Sequence, residues 1–237
     1  GGGLPHSLSE HQHDYEDLVE QNRGTDLEPV VHGPDFSTYV RTVRLALEEK
    51  GAAYTLNKVD IFAGENTAEA HLKRHPWGKV PAFEHDGFAL YETDAICRYV
   101  DLAFDGPSLQ PADAKGQARM TQLIDLVDHY GYPTLIGRIV INRLVKPKLG
   151  DSPDETAIAE ALGDARKVLG ELERLIGDDG RAVGGRLSLA DLHLLPVLDY
   201  LAATPEGAEL FGAAPKLKRL YDAIAARDSA KATAPQL

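Results

Sequence analysis

The segment from His75 to Thr93 constrains this chain more than any other. It runs His75-Pro76-Trp77-Gly78-Lys79-Val80-Pro81-Ala82-Phe83-Glu84, then His85-Asp86-Gly87, then Phe88 to Tyr91 and Glu92-Thr93. It reads as a loop entering a strand through Val-Pro, a hairpin closed at Asp86-Gly87, and a helix that opens at an acid and a hydroxyl. A Val-Pro step at the mouth of a strand suits a cis peptide bond, which is essentially confined to X-Pro and marks a tight, specified turn. Pro81 donates nothing to a ladder, so Val80 keeps both backbone groups for an extended partner. Glu92 and Thr93 stand at a helix start, where free N–H groups favour an anion. The set fits a small peptide with a carboxylate at one end and an amine near it.

The flanking pattern gives this segment a frame. Val30-Val31-His32, ending at Gly33-Pro34, reads as a short buried strand. Ser37 is an N-cap for a helix carrying Val40, Val43, Leu45 and Leu47, with a stop at Lys50-Gly51. Tyr54 to Ile61 reads as a second strand, and Ala63 to Arg74 as a polar stretch with a short, loosely held helix. Val80 to Glu84 and Phe88 to Tyr91 are the hairpin strands, and Glu92 to Ala103 is a helix. The order is β-α-β-α-β-β-α. A strand–helix–strand unit wants a parallel crossover and the hairpin is antiparallel. The expected product is a four-stranded mixed sheet with helices on both faces, as in thioredoxin-like folds.

Beyond a linker marked by Asp105-Gly106-Pro107 and Pro111, the strand signals fade. Ala112 to about Lys148 is long and helical, with Met120, Leu123, Leu126 and Val127 on one face and a break expected at Gly131-Tyr132-Pro133. Glu155 to Ile176 is a second amphipathic helix. Ser188 to Asp191 is a short capping box opening a third, apolar nearly all round and therefore central to a bundle. Pro196 should kink that helix. Two shorter helices follow, near Glu206 to Phe211 and Pro215 to Arg227, and the last ten residues read as frayed. The fold class is α/β plus all-α: a thioredoxin-like domain over 29–106, then a linker and helical domain over 107–237.

Residues 1–28 read as a flexible acidic leader, with a short acidic helix as the alternative. They contain seven acids and one base, six of the twelve excess negative charges, and are assigned no chemistry. The formal net charge of −12 argues against nucleic acid or an anionic membrane as the main partner. No apolar run approaches the roughly 20 residues of a membrane span. The only cysteine is Cys97, so an intrachain disulfide is impossible, which fits a reducing, cytoplasmic location. His71, His75, His85, His129 and His193 show no ligand spacing, and no metal or resident cofactor is expected.

The thioredoxin-like order, the Val80-Pro81 step, Glu92-Thr93, the Ser188–Asp191 cap and the all-helical second part together resemble the glutathione transferases. The likeness covers roughly residues 29 to 228. The segment Gly33-Pro34-Asp35-Phe36-Ser37-Thr38-Tyr39-Val40-Arg41-Thr42-Val43 resembles the serine-type branch, especially its phi-like members. The resemblance implies an enzyme that ionises glutathione, its co-substrate, and conjugates the thiolate to a small hydrophobic electrophile. It also implies a homodimer, with the helix after Glu92 and the long helix from Ala112 at the interface.

By the same resemblance, Ser37 is the hydroxyl that stabilises the thiolate, with Thr38 and Tyr39 as rivals. Val80, beside Pro81, pairs its backbone with the cysteinyl part. Glu92 and Thr93 hold the γ-glutamyl end, and Lys79 contacts the tripeptide. Phi-like members often place His-Lys near the glycine carboxylate; the matching Asn66 and Thr67 are neutral. Phe36, Tyr39, Tyr130 and Tyr132 are candidates for the electrophile wall. A cysteine-based thiol transfer is disfavoured, because Cys97 falls inside a helix and serine holds the position near the first helix. Peroxide reduction or isomerisation on the same fold, or a binding module without turnover, are the alternatives.

Overall fold

The computed structural model describes residues 28–236, so the expected leader, apart from Glu28, lies outside the described residues. Four strands form one sheet: β1 (Val30–His32), β2 (Thr55–Asn57), β3 (Ala82–His85) and β4 (Phe88–Tyr91), in the order β2-β1-β3-β4. β1 and β2 are parallel, with Val31 opposite Leu56. β1–β3 and β3–β4 are antiparallel, with Phe83 opposite both Val31 and Leu90. This is the expected mixed sheet. Two strands are shorter than expected. β2 pairs only with the three-residue β1, so its ladder cannot run on to Ile61. β3 starts at Ala82, opposite the last residue of β1, because Pro81 has no N–H to give.

Helix α1 (Thr38–Glu49) carries the crossover. It ends in a Schellman motif, Gly51 N–H to Glu48 O at 3.0 Å and Ala52 N–H to Leu47 O at 3.0 Å, with Gly51 at φ +64°. A single 3₁₀ turn (Glu65–Thr67) and the four-residue α2 (Glu69–Leu72) fill the polar stretch, and α3 (Thr93–Ala103) follows the hairpin. α1 is buried on almost every side, because β1 and α3 pack on it from its own domain and α7 (Leu189–Ala202) from the other.

The helical part continues with α4 (Ala114–Leu126), which runs without interruption into α5 (Val127–Val145). The expected break at Gly131–Pro133 is absent. α5 is wound in the wider π form, and its cap still bonds five residues back, Lys146 N–H to Ile141 O. An N–H missing at Pro133 is therefore absorbed by a change of winding along the helix. α6 (Glu155–Leu175), α7, α8 (Pro205–Gly212), α9 (Pro215–Ala225) and α10 (Asp228–Ala232) complete the bundle. α7 is buried from Leu189 through Leu198 and takes contacts from α1, α4, α5, α8 and α9, as an all-apolar helix should. No helix among the described residues is long and apolar enough to cross a membrane.

The expected frayed tail is anchored as far as Thr233. Arg41, buried on α1, donates to Ala230 O at 3.0 Å and Thr233 Oγ1 at 3.2 Å, and pairs with Asp199 at 2.6 Å. Arg227 makes a fork to Glu49, and Ser229 donates to the same carboxylate. A bidentate guanidinium outweighs the entropy of a free tail. The composition of the last ten residues gives no hint of it, because the partners lie on α1 and α7.

Candidate active site

A cleft of about 890 Å³ opens between the sheet domain and the helical part. Its walls come from the α1 N-terminus, the Gly78–Pro81 loop, the start of α3, the length of α5 and Tyr200 of α7.

Ser37 lies on this cleft and caps α1. Its backbone is extended (φ −66°, ψ 130°) and its Oγ accepts from Val40 N–H at 3.3 Å. The cap uses the oxygen as acceptor, so the hydroxyl proton stays free to be donated into the cleft. Thr38, the first rival, also lines the cleft, and its buried Oγ1 has no partner among the described residues. Tyr200 donates from its hydroxyl to Phe36 O at 2.5 Å, tying the loop that carries Ser37 to α7.

The Val80–Pro81 bond is cis, as the sequence suggested. Among the described residues, neither the N–H nor the C=O of Val80 has a backbone partner. The loop before it is held from below. His71 donates from Nε2 to Lys79 O at 2.7 Å, and Asn66 donates from its amide to Gly78 O at 3.0 Å. Gly78 sits at φ +65°, and a Cβ there would stand 3.0 Å from Asn66 O, so both torsion and space require glycine. Asn66 thus supports the loop while lining the cleft. Thr67 does not line it; its hydroxyl turns back to Gly64 O at 3.0 Å.

Glu92 is the N-cap of α3 and occupies φ +77°, ψ 116°, a region non-glycine residues rarely enter. Backbone strain of this kind costs about 1–3 kcal/mol and clusters at ligand clamps. The α3 N-terminus has no side-chain cap, so its leading N–H groups remain available beside Thr93. Nothing in the sequence announces this torsion.

The electrophile candidates divide. Phe36, Tyr39 and Tyr132 line the cleft, with Phe36 against Phe62 at 5.5 Å and Tyr39 against Tyr132 at 5.0 Å between ring centroids. Tyr130 does not. It is 61% exposed and borders a shallow groove on the outer face of α4 with Gln117 and Thr121. Residues that the sequence reading missed form much of the wall. Together with Tyr132, the residues Asp128, Ile136, Val140, Leu144 and Lys148 recur every four residues along α5 and the 3₁₀ turn that extends it (Lys146–Leu149). In an α-helix of 3.6 residues per turn such a series swings by about 40° per step.

Behind the Lys79 loop lie three buried histidines. His71 and His75 stack at 6.5 Å, and His32 sits 3.6 Å from Glu84. Among the described residues, His32 Nε2, His71 Nδ1 and His75 Nδ1 have no partner within hydrogen-bond distance. No group of three ligands among the described residues is placed to hold a metal ion. Burial, with Arg74 and His71 nearby, holds His32 below its ordinary value of 6.5 despite Glu84. Burial likewise holds His75 down, with His71 and Lys79 adding to it and Glu92 opposing. Above pH 6.5 both states of the chain leave these rings neutral. As pH falls below 6.5 the unfolded chain takes protons that the folded one refuses, so stability drops, by up to about 1.4 kcal/mol per pH unit per ring. A thermal midpoint that falls from pH 7.5 to 5.5 in the parent, and falls less in His32→Phe or His75→Asn, is the expected result. Equal slopes in all three would show that these rings do not resist protonation.

Residues 36–103 match the family model "Glutathione S-transferase, N-terminal domain" and residues 130–228 match "Glutathione S-transferase, C-terminal domain". The chain is 32% identical over 203 residues to glutathione S-transferase F7 of Arabidopsis thaliana, covering 85% of this chain and 96% of that one. The crystal structure of glutathione transferase F7 from Populus trichocarpa superposes with a TM-score of 0.77 at 32% identity, over 87% of this chain and 97% of the other. A maize glutathione S-transferase I, solved with an atrazine–glutathione conjugate, gives a TM-score of 0.77 at 28% identity, over 87% and 96% of the two chains. An identity above 30% over nearly the whole relative, with both family domains matched in order, makes this chain a member of the glutathione S-transferase family, close to its plant phi-class enzymes.

Proposed function

We propose that this protein conjugates glutathione to a small apolar electrophile and that the Ser37 hydroxyl stabilises the thiolate. One observation carries the reading. Ser37, the backbone of Val80 and the start of α3 at Glu92-Thr93 all face a single cleft. An extended tripeptide laid along Val80 would add a short strand there. Its γ-glutamyl carboxylate would meet the free N–H groups of α3, and its amine would meet Glu92. Lys79, which lines the cleft, would contact a carboxylate, and Asn66 would line the glycine end. Thr67 has no place in this pose. The apolar half of the cleft, from Phe36 and Tyr39 to Tyr132 and Leu144, would receive the electrophile. The maize relative, solved in complex with an atrazine–glutathione conjugate, supports a reading in which both glutathione and an electrophile are accommodated.

A free thiol with a pKa of about 8.5 is only a few per cent ionised at pH 7. One hydrogen bond from a hydroxyl to the anion supplies about 1.5–3 kcal/mol. Ser37→Ala should therefore lower turnover with chlorodinitrobenzene by about tenfold or more and raise the pKa of bound glutathione, with glutathione KM little changed. The measurement is an initial-rate series with a thiolate absorbance titration, run beside Thr38→Val. Loss only in Thr38→Val would transfer the role to the unpartnered Thr38 hydroxyl.

The protein would act as a homodimer. Trp77 is 71% exposed on the edge of the sheet domain, and the shallow groove bordered by Tyr130 lies open on α4. Two-fold pairing would cover both, and closed two-fold dimers are the commonest assembly. Light scattering should return about twice the 25.7 kDa chain mass, and a 25.7 kDa species at micromolar concentration would rule the dimer out.

A further inference from the structure

A carboxylate–imidazole pair also stands in the cleft. Asp128 lines the cleft from α5, and His193, buried on α7, lies 2.6 Å away, Nε2 to Oδ1. A carboxylate only accepts, so Nε2 carries the hydrogen and the ring is held in one tautomer. Tyr39 covers the pair from α1, its ring 5.8 Å from the imidazole and beside the Asp128 carboxylate. Burial and that carboxylate push the Tyr39 hydroxyl far above its ordinary range, so it keeps its proton and cannot serve as a base. Glu92, at the start of α3, also faces Tyr39, and Tyr132 stacks on it from α5. Next to Asp128 the α5 wall carries His129 and Tyr132, and further along it turns apolar with Ile136, Val140 and Leu144. A charged carboxylate fixed by a buried histidine is poorly suited to such a wall unless a proton has to be held there.

We propose that Asp128, positioned by His193, holds the proton that leaves the glutathione thiol and returns it to the oxygen of an epoxide, which makes epoxides the preferred second-substrate class. The proposal rests on the transferase reading above. In the forward step the S–H bond breaks, the electron pair stays on sulfur and the proton passes to the Asp128–His193 pair. The thiolate attacks an epoxide carbon, the S–C bond forms and the C–O bond breaks with its pair on oxygen. That alkoxide takes the proton back, giving a thioether alcohol with no oxidant, reductant or net proton required. An aryl halide leaves as a halide ion that needs no proton, so the return of the proton by the pair is idle in that reaction. Positioned proton transfer of this kind contributes about 10²–10⁴-fold.

The test uses the full chain with glutathione and two probes, styrene oxide and chlorodinitrobenzene, each read on the same preparation. The parent should turn over both. In Asp128→Asn the ratio of epoxide to halide rates should fall by at least about tenfold. In His193→Gln it should fall by about threefold or more. Both losses should lie in kcat for the epoxide rather than in glutathione KM. Because the ratio is internal, partial misfolding of a variant cancels. A ratio within twofold of the parent in Asp128→Asn, or a parent that conjugates chlorodinitrobenzene and not styrene oxide, would overturn the relay alone. A parent without glutathione-dependent turnover of either probe would overturn the transferase reading and the relay with it.

Discussion

Lys50→Met should destabilise the protein by about 3–5 kcal/mol, the largest loss expected from a single exposed-type residue in this chain. Lys50 ends α1, yet its side chain is 2% exposed and pairs at 3.0 Å with Asp101, also 2% exposed, on α3. Its ammonium makes two further bonds, to Gly106 O at 3.3 Å and Pro107 O at 3.0 Å. Asp101 completes the set by accepting from Leu109 N–H at 2.8 Å and from the Gln110 amide at 2.9 Å. The pair therefore staples the connection between the two parts of the fold to the last turns of α1 and α3. Removing one partner leaves a buried, uncompensated charge, which costs far more than the pair itself contributes. The double variant Lys50→Met/Asp101→Leu should recover a large part of the loss, because it deletes both desolvation penalties. Urea unfolding of the parent, the single and the double variant tests this. A single variant within 1 kcal/mol of the parent would show that the carboxylate finds water or protonates at little cost.

Asp191→Ala should cost about 3 kcal/mol. This carboxylate is fully buried at the start of α7. Oδ2 accepts from Ser188 N–H at 2.8 Å, closing the capping box, and Oδ1 accepts from Ala182 N–H at 2.8 Å. Alanine leaves two buried N–H groups unpaired, each worth about 1–3 kcal/mol. α7 touches α1, α4, α5, α8 and α9, so loosening its first turn disturbs the whole bundle and the seat of His193 and Tyr200. Burial pushes the Asp191 carboxyl up to about 6, with the two backbone bonds and Arg181 opposing. A raised carboxyl pKa means that the folded state is penalised for holding the charge, a penalty present above pH 6 and removed as pH falls toward 4. The gap between parent and Asp191→Ala in guanidinium unfolding should therefore be narrower at pH 8 than at pH 5. A gap that widens with pH would show that the backbone bonds outweigh desolvation.

What could be read in the chain was what a few consecutive residues decide. Ser37 was legible as an N-cap, Gly51 as a helix end, Asp86-Gly87 as a hairpin, Val80-Pro81 as a cis step, and Ser188–Asp191 as a capping box. Each is a local signal with a local cause, a donor left free or a torsion pre-set. The β-α-β-α-β-β-α order, the mixed sheet and three parts of the cleft follow from them, because Ser37, Val80 and Glu92-Thr93 each sit at an element boundary.

Other features depended on partners far along the chain. Asp128 and His193 are 65 residues apart, and Tyr200 reaches Phe36 across 164. Arg41 reaches Ala230 across 189 residues and turns an apparently frayed tail into an anchored one. Tyr130 and Tyr132, two residues apart, fall on opposite faces of the helix, and only the packing of the helix decides which of them enters the cleft. The sequence by itself determined where elements start and stop and which chemical groups stand at those ends. The tertiary structure alone decided which of them share a cleft, because closure brings together side chains whose contact no local periodicity encodes.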